Sequence, residues 1–253
     1  TTARRGHQAI LRFTLEYPGQ TDGLPSFLRE AGLPVTDWTD DDGRNLTPDY
    51  RDPRLRAFVR EFVTALGKRY DGDPRIAFLT MGTLGKWGEW HTWPRTELFP
   101  PAEVETEVMD HWQAAFRRTP VLMRYPTSLT KRRPFGYHDD SFAFGTLPVP
   151  GSDSDWHFVT QMRKVGETEK WKRFPIGGEI RPEAWGICFD PKPARPDVQN
   201  FDACVDATKA SWLMDSGMFS NEKPLDPARR ARAIRSVSRM GYVPRVLSCE
   251  VRD

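Results

Sequence analysis

The segment Ile76–Trp93, IAFLTMGTLGKWGEWHTW, decides the fold prediction for this chain. Its first half, Ile76 to Leu84, is an apolar run of the length expected for a strand buried on both faces, as the strands of parallel sheets are. Glycines at positions 82, 85 and 88 then allow the backbone to bend. The segment reaches a single carboxylate, Glu89, among tryptophan and histidine side chains. We therefore expect a buried parallel strand with an acidic group at its carboxyl end.

Predicted strands alternate with predicted helices along the chain. The strands begin near residues 8, 76, 121, 141, 174 and 211. The clearest helix follows Pro53, because apolar residues recur there at the spacing of one helix face. Such alternation predicts a parallel sheet with crossover helices. Six strand–helix units fit either a doubly wound sheet or a (β/α)8 TIM-type barrel that lacks its first two strands.

Polar residues at the strand ends favour the barrel, because the active sites of (β/α)8 barrels lie at this face. These residues are Arg12, Glu16, Glu89, Arg124, Asp140, Glu179 and Asp215. The phosphate loops GxGxxG and GxxxxGK[ST] of nucleotide-binding folds are absent from the sequence. We predict the α/β class, with strands three to eight of a (β/α)8 barrel in residues 1–241 and the start of a further β element in residues 242–253.

Composition limits the classes of function. The chain has 253 residues with 37 basic and 35 acidic side chains, so its net charge is only +2. Nucleic-acid-binding proteins usually show a stronger basic bias, so we expect no nucleic-acid partner. No apolar run reaches the ~20 residues that span a bilayer, so we expect no membrane insertion. No signal peptide is visible, and the abrupt start TTARRGHQAILRF indicates part of a longer protein.

The cysteines indicate no metal site. No CxxC or HExxH pattern occurs, so we expect neither a metal ion nor an organic cofactor. Cys188 and Cys204 lie in a proline-rich segment. They form either a disulfide that clamps this loop or two buried thiols, and spacing alone does not decide between them.

Two glutamates, Glu89 and Glu179, form the candidate catalytic pair. Each follows a glycine and ends a different predicted strand. Hydrolysis of a glycosidic bond needs one carboxylic acid to protonate the leaving oxygen and a second carboxylate on the other face of the sugar, ~5 to 9.5 Å away. Trp87 and Trp90 would form an apolar wall that raises the pKa of the acid. The alternative for each glutamate is a structural ion pair, and Arg181 lies two residues after Glu179.

Further residues near the strand ends, or with rings that can stack on a pyranose, are candidate substrate-binding residues. They are Arg12, Glu16, Trp87, Trp90, His91, Trp93, Arg124, Tyr125, Asp140 and Trp185. Three alternatives stay open. His91 fits either a sugar hydroxyl or a backbone partner in its loop. Arg12 and Glu16 share strand parity and fit a buried ion pair, and Asp140 is a rival second carboxylate.

The sequence also carries a family resemblance. The segment RYDGDPRIAFLTMGTLGKWGEWH resembles the acid/base strand of clan A glycoside hydrolases, the (β/α)8 group that includes β-galactosidases. LRFTLEYPG, GEWH and RMGYVPRVLS resemble more closely a bacterial family, domain-of-unknown-function 4832. In clan A the acid/base ends strand four and the nucleophile ends strand seven. If the first strand here is barrel strand three, the resemblance implies Glu89 as acid/base, Glu179 as nucleophile, and retention.

The resemblance also implies a further domain, a substrate and a cellular location, and the sequence departs from the clan A pattern at one position. In clan A the acid usually follows an asparagine that binds the sugar 2-hydroxyl. Gly88 occupies that position here. A β-sandwich domain would follow the barrel, the substrate would be an oligo- or polysaccharide, and the protein would be secreted, periplasmic or at the cell surface. The alternative is a catalytically inactive barrel that binds glycans through its aromatic-lined mouth. A carboxyl separation beyond ~10 Å would exclude the two-carboxylate mechanism.

Overall fold

A curled parallel sheet forms the centre of the protein. The computed structural model describes residues 3–20, 23–215, 226–241 and 248–250. Within them six parallel strands form a half-barrel, and two further strands form an antiparallel hairpin. The strands are β1 Ala9–Arg12, β2 Val35–Asp40, β3 Gly43–Pro48, β4 Ile76–Thr80, β5 Val121–Met123, β6 Gly136–Phe142, β7 Ile176–Ile180 and β8 Trp212–Met214.

Helices connect the strands. The α-helices in the described residues are α1 Ser26–Glu30, α2 Pro53–Tyr70, α3 Ala102–Ala115, α4 Phe158–Val165, α5 Phe201–Thr208 and α6 Pro227–Val237. Short 3-10 turns lie at Ala3–Arg5, Thr96–Leu98, Lys170–Lys172, Pro182–Ala184 and Ile187–Phe189. The predicted α/β class with a parallel sheet and crossover helices is therefore confirmed.

The strand order places the ends of β4 and β7 in one mouth. The sheet has the order β1-β4-β5-β6-β7-β8, and each neighbouring pair is parallel. All six carboxyl ends therefore lie at the same edge of the sheet. Two strands separate β4 from β7, as they separate strands four and seven of a barrel. The complete eight-stranded barrel stays a prediction, because β1 and β8 are the outer strands of the described sheet.

Helix α2 shows why the long amphipathic segment folds as predicted. The side chain of Asp52 accepts a hydrogen bond from the N–H of Arg54, and Pro53 occupies the first turn, where its missing N–H costs nothing. The helix buries a stripe of Leu55, Val59, Val63, Leu66 and Gly67. A Cβ at Gly67 would lie 2.4 Å from the carbonyl oxygen of Ala115 at the end of α3. Gly67 thus lets these two helices approach closely.

The core has two parts. The larger part packs α2, α3 and α4 against β4 and β5, with Val63, Leu79 and Trp112 fully buried. The smaller part lies around α5 and contains the two cysteines Cys188 and Cys204. Both cysteines are free thiols, so the two buried thiols are observed and the disulfide is not. Burial raises the pKa of the Cys188 thiol to about 12.

Three predicted elements have different boundaries in the structure. The strand predicted to run to Leu84 ends at Thr80, and a loop carries the chain onward to Glu89. The sequence predicts a polar loop that ends at residues 137–140 and a strand that starts near residue 141, but β6 begins at Gly136 and includes His138 and Asp140. Helix α4, predicted over 158–171, ends at Val165 because Gly166 adopts a left-handed conformation with φ 72°.

The β2–β3 hairpin was not predicted. The buried positions of β3 include Asn45 and Thr47, polar residues where a half-buried strand would carry apolar side chains. The further β element predicted from residue 242 falls almost wholly outside the described residues.

Candidate functional site

A cleft of about 1570 Å³ opens at the carboxyl ends of the parallel strands. Arg12 ends β1, Thr80 ends β4, and Glu179 lies one residue before the end of β7. All three line the cleft, together with the predicted site residues Trp87, Glu89, His91, Trp93, Arg124 and Asp140. The structure therefore brings both candidate catalytic glutamates into one cavity.

The loop that carries Glu89 has an unusual backbone. Thr83, Gly85, Trp87, Gly88 and Trp90 all have positive φ, a conformation that costs free energy for residues other than glycine. The loop is closed by hydrogen bonds from the N–H of Glu89 to the carbonyl of Lys86 at 2.8 Å and from the N–H of Trp90 to that of Leu84 at 3.0 Å. Strain of this kind is found where the surrounding structure holds a functional group in place.

Gly88 fits this loop better than a larger residue would. Its φ is +69°, and a Cβ there would lie 3.0 Å from the Cα of Gly82 and 3.2 Å from the side chain of Thr14. An asparagine at this position would therefore require both neighbours to move. The departure from the clan A pattern thus has a local backbone reason.

Lys86 ties the same loop to the β2–β3 hairpin. Its side chain is only 1% exposed, and its Nζ lies 2.7 Å from Asp40 and 2.6 Å from Asp42 of the β2–β3 hairpin. The ammonium also sits 4.8 Å from the ring centre of Trp87, a cation–π distance. The unpredicted hairpin therefore supports the backbone on either side of Glu89.

Glu16 belongs to this support and not to the cleft, so its prediction as a substrate-binding residue is wrong. Its carboxylate is fully buried and accepts hydrogen bonds from Thr47 at 2.8 Å and Tyr50 at 3.4 Å. Burial raises its pKa. The chain bends after β1, so the parity shared by Arg12 and Glu16 does not bring them to one place. The ion pair considered between them is replaced by one from Arg12 to Glu89.

Arg12 connects the two candidate catalytic carboxylates. Its Nη1 lies 2.8 Å from Oε1 of Glu89, and its Nη2 lies 3.7 Å from Oε2 of Glu179. Because one planar guanidinium reaches both groups, these two oxygens are less than ~9 Å apart. This upper limit is compatible with two-carboxylate glycoside hydrolysis by either the retaining or the inverting geometry.

Glu179 and Glu89 differ in charge environment. Burial, together with the negative charges of Glu89 and Asp140, raises the pKa of Glu179 to about 7, although Arg12 acts in the opposite direction. Glu89 makes the shorter contact with Arg12, and Nε2 of His91 lies 3.8 Å from its other oxygen. In the free protein near neutral pH, Glu179 is therefore partly protonated.

Arg124 and Asp140 form a second buried pair in the cleft. The carboxylate of Asp140 accepts from Nε of Arg124 at 2.8 Å and from its Nη2 at 2.7 Å. Burial favours the neutral acid, but the charge and hydrogen bonds of Arg124 outweigh it and lower the pKa of Asp140. Asp140 therefore stays ionised but is not free to act as an acid.

Tyr125 lies behind this pair. Its ring centre is 4.1 Å from the guanidinium carbon of Arg124, and it does not line the cleft. Burial raises its pKa. Tyr125 therefore stacks against Arg124 outside the cleft, and its contact with substrate stays a prediction.

The predicted tryptophans divide into two sets. Trp87 and Trp93 line the cleft, and Trp93 is 68% exposed. Trp90 is buried and donates its indole N–H to the carbonyl of Met81 at 2.8 Å. Trp185 donates to the carbonyl of Ile180 at 2.9 Å and packs on the smaller core. Trp90 and Trp185 therefore lie outside the cleft with their rings packed against the protein, and substrate contact by either stays a prediction.

Several residues that line the cleft were not predicted from the sequence, among them His138, Trp156 and Trp212. His138 lies in the segment predicted as a loop, where strand parity was not applied. Trp212 begins β8 and was detectable from its place in a predicted strand. Trp156 lies in a loop before α4, and no local pattern identifies its position.

The described residues contain no group of three or more histidine, cysteine, aspartate or glutamate side chains arranged to hold a metal ion. A search of the described helices for one long and apolar enough to cross a membrane found none.

Comparison with known proteins gives limited similarity. No protein-family model matches the chain, and no curated protein matches it. Among solved structures it is similar to a β-glucanase from Saccharophagus degradans, at 15% identity and a TM-score of 0.41, covering 72% of this chain and 60% of that one. It is also similar to endo-glycoceramidase II from Rhodococcus sp., at 14% identity and a TM-score of 0.40, covering 94% of this chain and 54% of that one.

The chain thus spans between half and two thirds of the length of these two structures. Similarity at this level assigns no reaction and no residue role to this chain. Membership of the domain-of-unknown-function 4832 family stays a prediction.

Proposed function

We propose that this protein is a glycoside hydrolase that cleaves an O-glycosidic bond with Glu89 and Glu179. The observation that carries the proposal is the convergence of these two carboxylates on Arg12 in a large cleft at the strand ends. The cleft also presents the rings of Trp87 and Trp93, and such rings can stack on sugar faces. The partner is therefore an oligo- or polysaccharide.

The mechanism needs one acid and one nucleophile. The acid donates its proton to the glycosidic oxygen while the second carboxylate attacks the anomeric carbon, so the leaving group departs as an alcohol and a glycosyl ester forms. The first residue then takes a proton from water, whose oxygen displaces the carboxylate and releases the sugar with retained configuration. By strand order, and by the resemblance to clan A, Glu89 is the acid/base and Glu179 the nucleophile.

The charges of the free protein favour the reverse assignment. Burial and the charge of Glu89 raise the pKa of Glu179 to about 7, so Glu179 is partly protonated near neutral pH. With Glu179 as the acid and Glu89 as the nucleophile, this proton is already on the group that donates it. With Glu89 as the acid, the proton must be on Glu89 when the substrate is bound.

A substrate screen tests the hydrolase proposal. Aryl glycosides and polysaccharides would be assayed with wild type, Glu89→Gln, Glu179→Gln and the control Glu61→Gln, which changes an exposed glutamate of α2. Loss of a catalytic carboxylate is expected to reduce kcat by ~10² to 10⁴-fold, with the control unchanged. Full activity of either cleft variant would remove that residue from the mechanism.

Azide distinguishes the two role assignments. When the nucleophile is replaced by alanine, azide attacks the substrate directly and gives a glycosyl azide of inverted configuration. When the acid/base is replaced, azide attacks the covalent intermediate and the configuration is retained. Strand order predicts inversion with Glu179→Ala and retention with Glu89→Ala, and NMR of the products would show the opposite pattern for the reverse assignment.

The second candidate function is a catalytically inactive glycan-binding module. The exposure of Trp93 in the cleft favours it, since such a ring binds a sugar without any chemistry. Binding of an oligosaccharide by wild type with no hydrolysis of any substrate would establish this alternative. Secretion, or a periplasmic or cell-surface location, stays a prediction, as does a β-sandwich domain after the barrel.

A further inference from the structure

Strand β6 presents two polar side chains to the cleft. His138 and Asp140 are two residues apart and therefore lie on the same face of the strand. Both line the cleft. Asp139, between them, points to the opposite face, where its carboxylate accepts from Oγ1 of Thr146 at 2.7 Å and from the N–H of Ser141 at 3.0 Å. The face that His138 and Asp140 share is thus the cleft face.

Arg12 fixes the position of the hydrogen on His138. Its Nη2 lies 2.8 Å from Nε2 of the imidazole, and a guanidinium can only donate. Nε2 is therefore the acceptor, and the hydrogen of the neutral ring lies on Nδ1. Burial, with the positive charges of Arg12 and Arg124, lowers the pKa of His138 to about 3, so the ring stays neutral. Nδ1 is buried and finds no hydrogen-bond partner within the described part of the chain.

Asp140 offers the complementary acceptor. Arg124 occupies its Oδ2, while Oδ1 is buried and has no partner among the described residues. The side chain is 8% exposed, so bulk water gives this oxygen little compensation. Asp140 lines the same cleft as Glu89 and Glu179. A buried donor and a buried acceptor without partners are the features that a polar ligand satisfies.

We propose that Oδ1 of Asp140 and the Nδ1–H of His138 form a hydroxyl-binding subsite next to Glu89 and Glu179. Asp140 accepts a hydrogen bond from one hydroxyl of the sugar unit at the cleaved bond, and His138 donates to a second hydroxyl. The inference rests on the proposed function, because it names how that site holds its substrate. Since Arg124 already neutralises Asp140, the subsite takes an uncharged sugar ring rather than a cationic one.

Deoxy sugars test the subsite. The probes are 4-nitrophenyl glucosides and galactosides, as both anomers, with their 2-, 3-, 4- and 6-deoxy analogues. Removing the hydroxyl that meets Asp140 is expected to lower kcat/KM of wild type by ~10 to 100-fold, because a buried carboxylate oxygen is then left unpaired. If every deoxy analogue stays within threefold of its parent sugar, the subsite is overturned without any variant.

The variant Asp140→Asn tests whether Asp140 is the residue that recognises this hydroxyl. The donors of Arg124 hold the amide oxygen, so the NH₂ group faces the cleft and replaces the acceptor with a donor. The variant is expected to be slow on the parent glycoside and to discriminate less than threefold against the deoxy analogue. Asp155→Asn, an exposed carboxylate outside the cleft that pairs with Lys164, is the matched control and should behave as wild type. An unchanged deoxy effect in Asp140→Asn overturns the subsite and leaves the hydrolase proposal intact.

A binding measurement covers the case in which no probe is hydrolysed. Methyl glucosides and galactosides would be titrated into wild type and Asp140→Asn and followed by NMR. Binding that is lost only in the variant supports the subsite and overturns only the hydrolase proposal. Equal binding by both proteins overturns the subsite, and absence of binding to either overturns both proposals.

Discussion

At the scale of single residues, Arg12 contacts both candidate catalytic carboxylates and a histidine of the cleft. Its guanidinium meets three acceptors on three different elements: Glu89 at 2.8 Å, Glu179 at 3.7 Å and Nε2 of His138 at 2.8 Å. A lysine ammonium is a compact charge and cannot match this planar, forked arrangement. Arg12 therefore holds the two carboxylates close together and lowers the pKa of Glu179.

Replacement of Arg12 by methionine is expected to raise the pH at which the glutamate pair loses its last proton. The charge of Arg12 holds the pKa of Glu179 down to about 7, so removing it leaves burial and the charge of Glu89 unopposed. The measurement is a pH titration of ¹³C-labelled glutamate carboxyl groups by NMR, with Glu179→Gln identifying the resonance.

Arg51→Met provides the control, because Arg51 is an exposed residue that hydrogen-bonds the carbonyl of Phe99. Its titration should match that of wild type. A midpoint for Arg12→Met at or below that of wild type would show that Arg12 does not govern the protonation of the pair.

At the scale of elements, the β2–β3 hairpin and the loop after β4 form one unit. The hairpin contributes Asp40 and Asp42 to Lys86, and Thr47 to Glu16. Tyr50, just after the hairpin, accepts the N–H of Gly85 at 2.8 Å. These contacts hold the strained backbone that presents Glu89.

Lys86→Met is expected to destabilise the protein by ~3 to 5 kcal/mol, because it leaves the carboxylates at Asp40 and Asp42 without their buried partner. Asp42→Asn should cost less than ~1 kcal/mol, since Asp42 is 49% exposed. Urea denaturation of both variants gives the comparison. Equal losses would contradict the view that the buried ammonium, rather than the exposed hairpin tip, secures the loop.

The strands of the sheet were predictable and the hairpin was not. The strands β4, β5 and β7 are buried on both faces, so their sequences are short apolar or small-residue runs between turn signals. The hairpin is held largely by polar contacts to residues more than thirty positions away in sequence. Such contacts leave no periodic signal in the local sequence.

The same reasoning explains which site residues were found. Arg12 and Glu179 follow from strand ends, because parallel strands bring their carboxyl ends to one edge. Side-chain direction in loops is set by turns with positive φ, as at Trp87 and Trp90, and these cannot be derived from residue type. Proximity in sequence to Glu89 therefore did not separate Trp87, which lines the cleft, from Trp90, which is buried.

At the scale of the whole molecule, the half-barrel buries an acid that the proposed chemistry does not use. Asp139 is 1% exposed and points away from the cleft toward Thr146 and Cys204. Burial raises its pKa from 3.8 to about 7, partly opposed by hydrogen bonds from Thr146 and Ser141. The folded protein thus keeps a proton here that the unfolded chain releases near pH 4.

This difference gives the contribution of Asp139 to stability a pH dependence of definite sign. Between about pH 4 and pH 7 the native state binds more protons at Asp139 than the unfolded state, so this contribution falls as pH rises through the window. Asp139→Asn removes the titration while its amide keeps both hydrogen bonds, because it accepts from Ser141 and donates to Thr146. The stability of this variant relative to wild type should therefore increase by ~2 to 3 kcal/mol between pH 5 and pH 8. Urea denaturation at both pH values measures this difference. The contributions of Glu179 and His138 are the same in the two proteins and therefore cancel. A difference that is constant with pH would show that Asp139 titrates in the folded protein as it does in the unfolded chain.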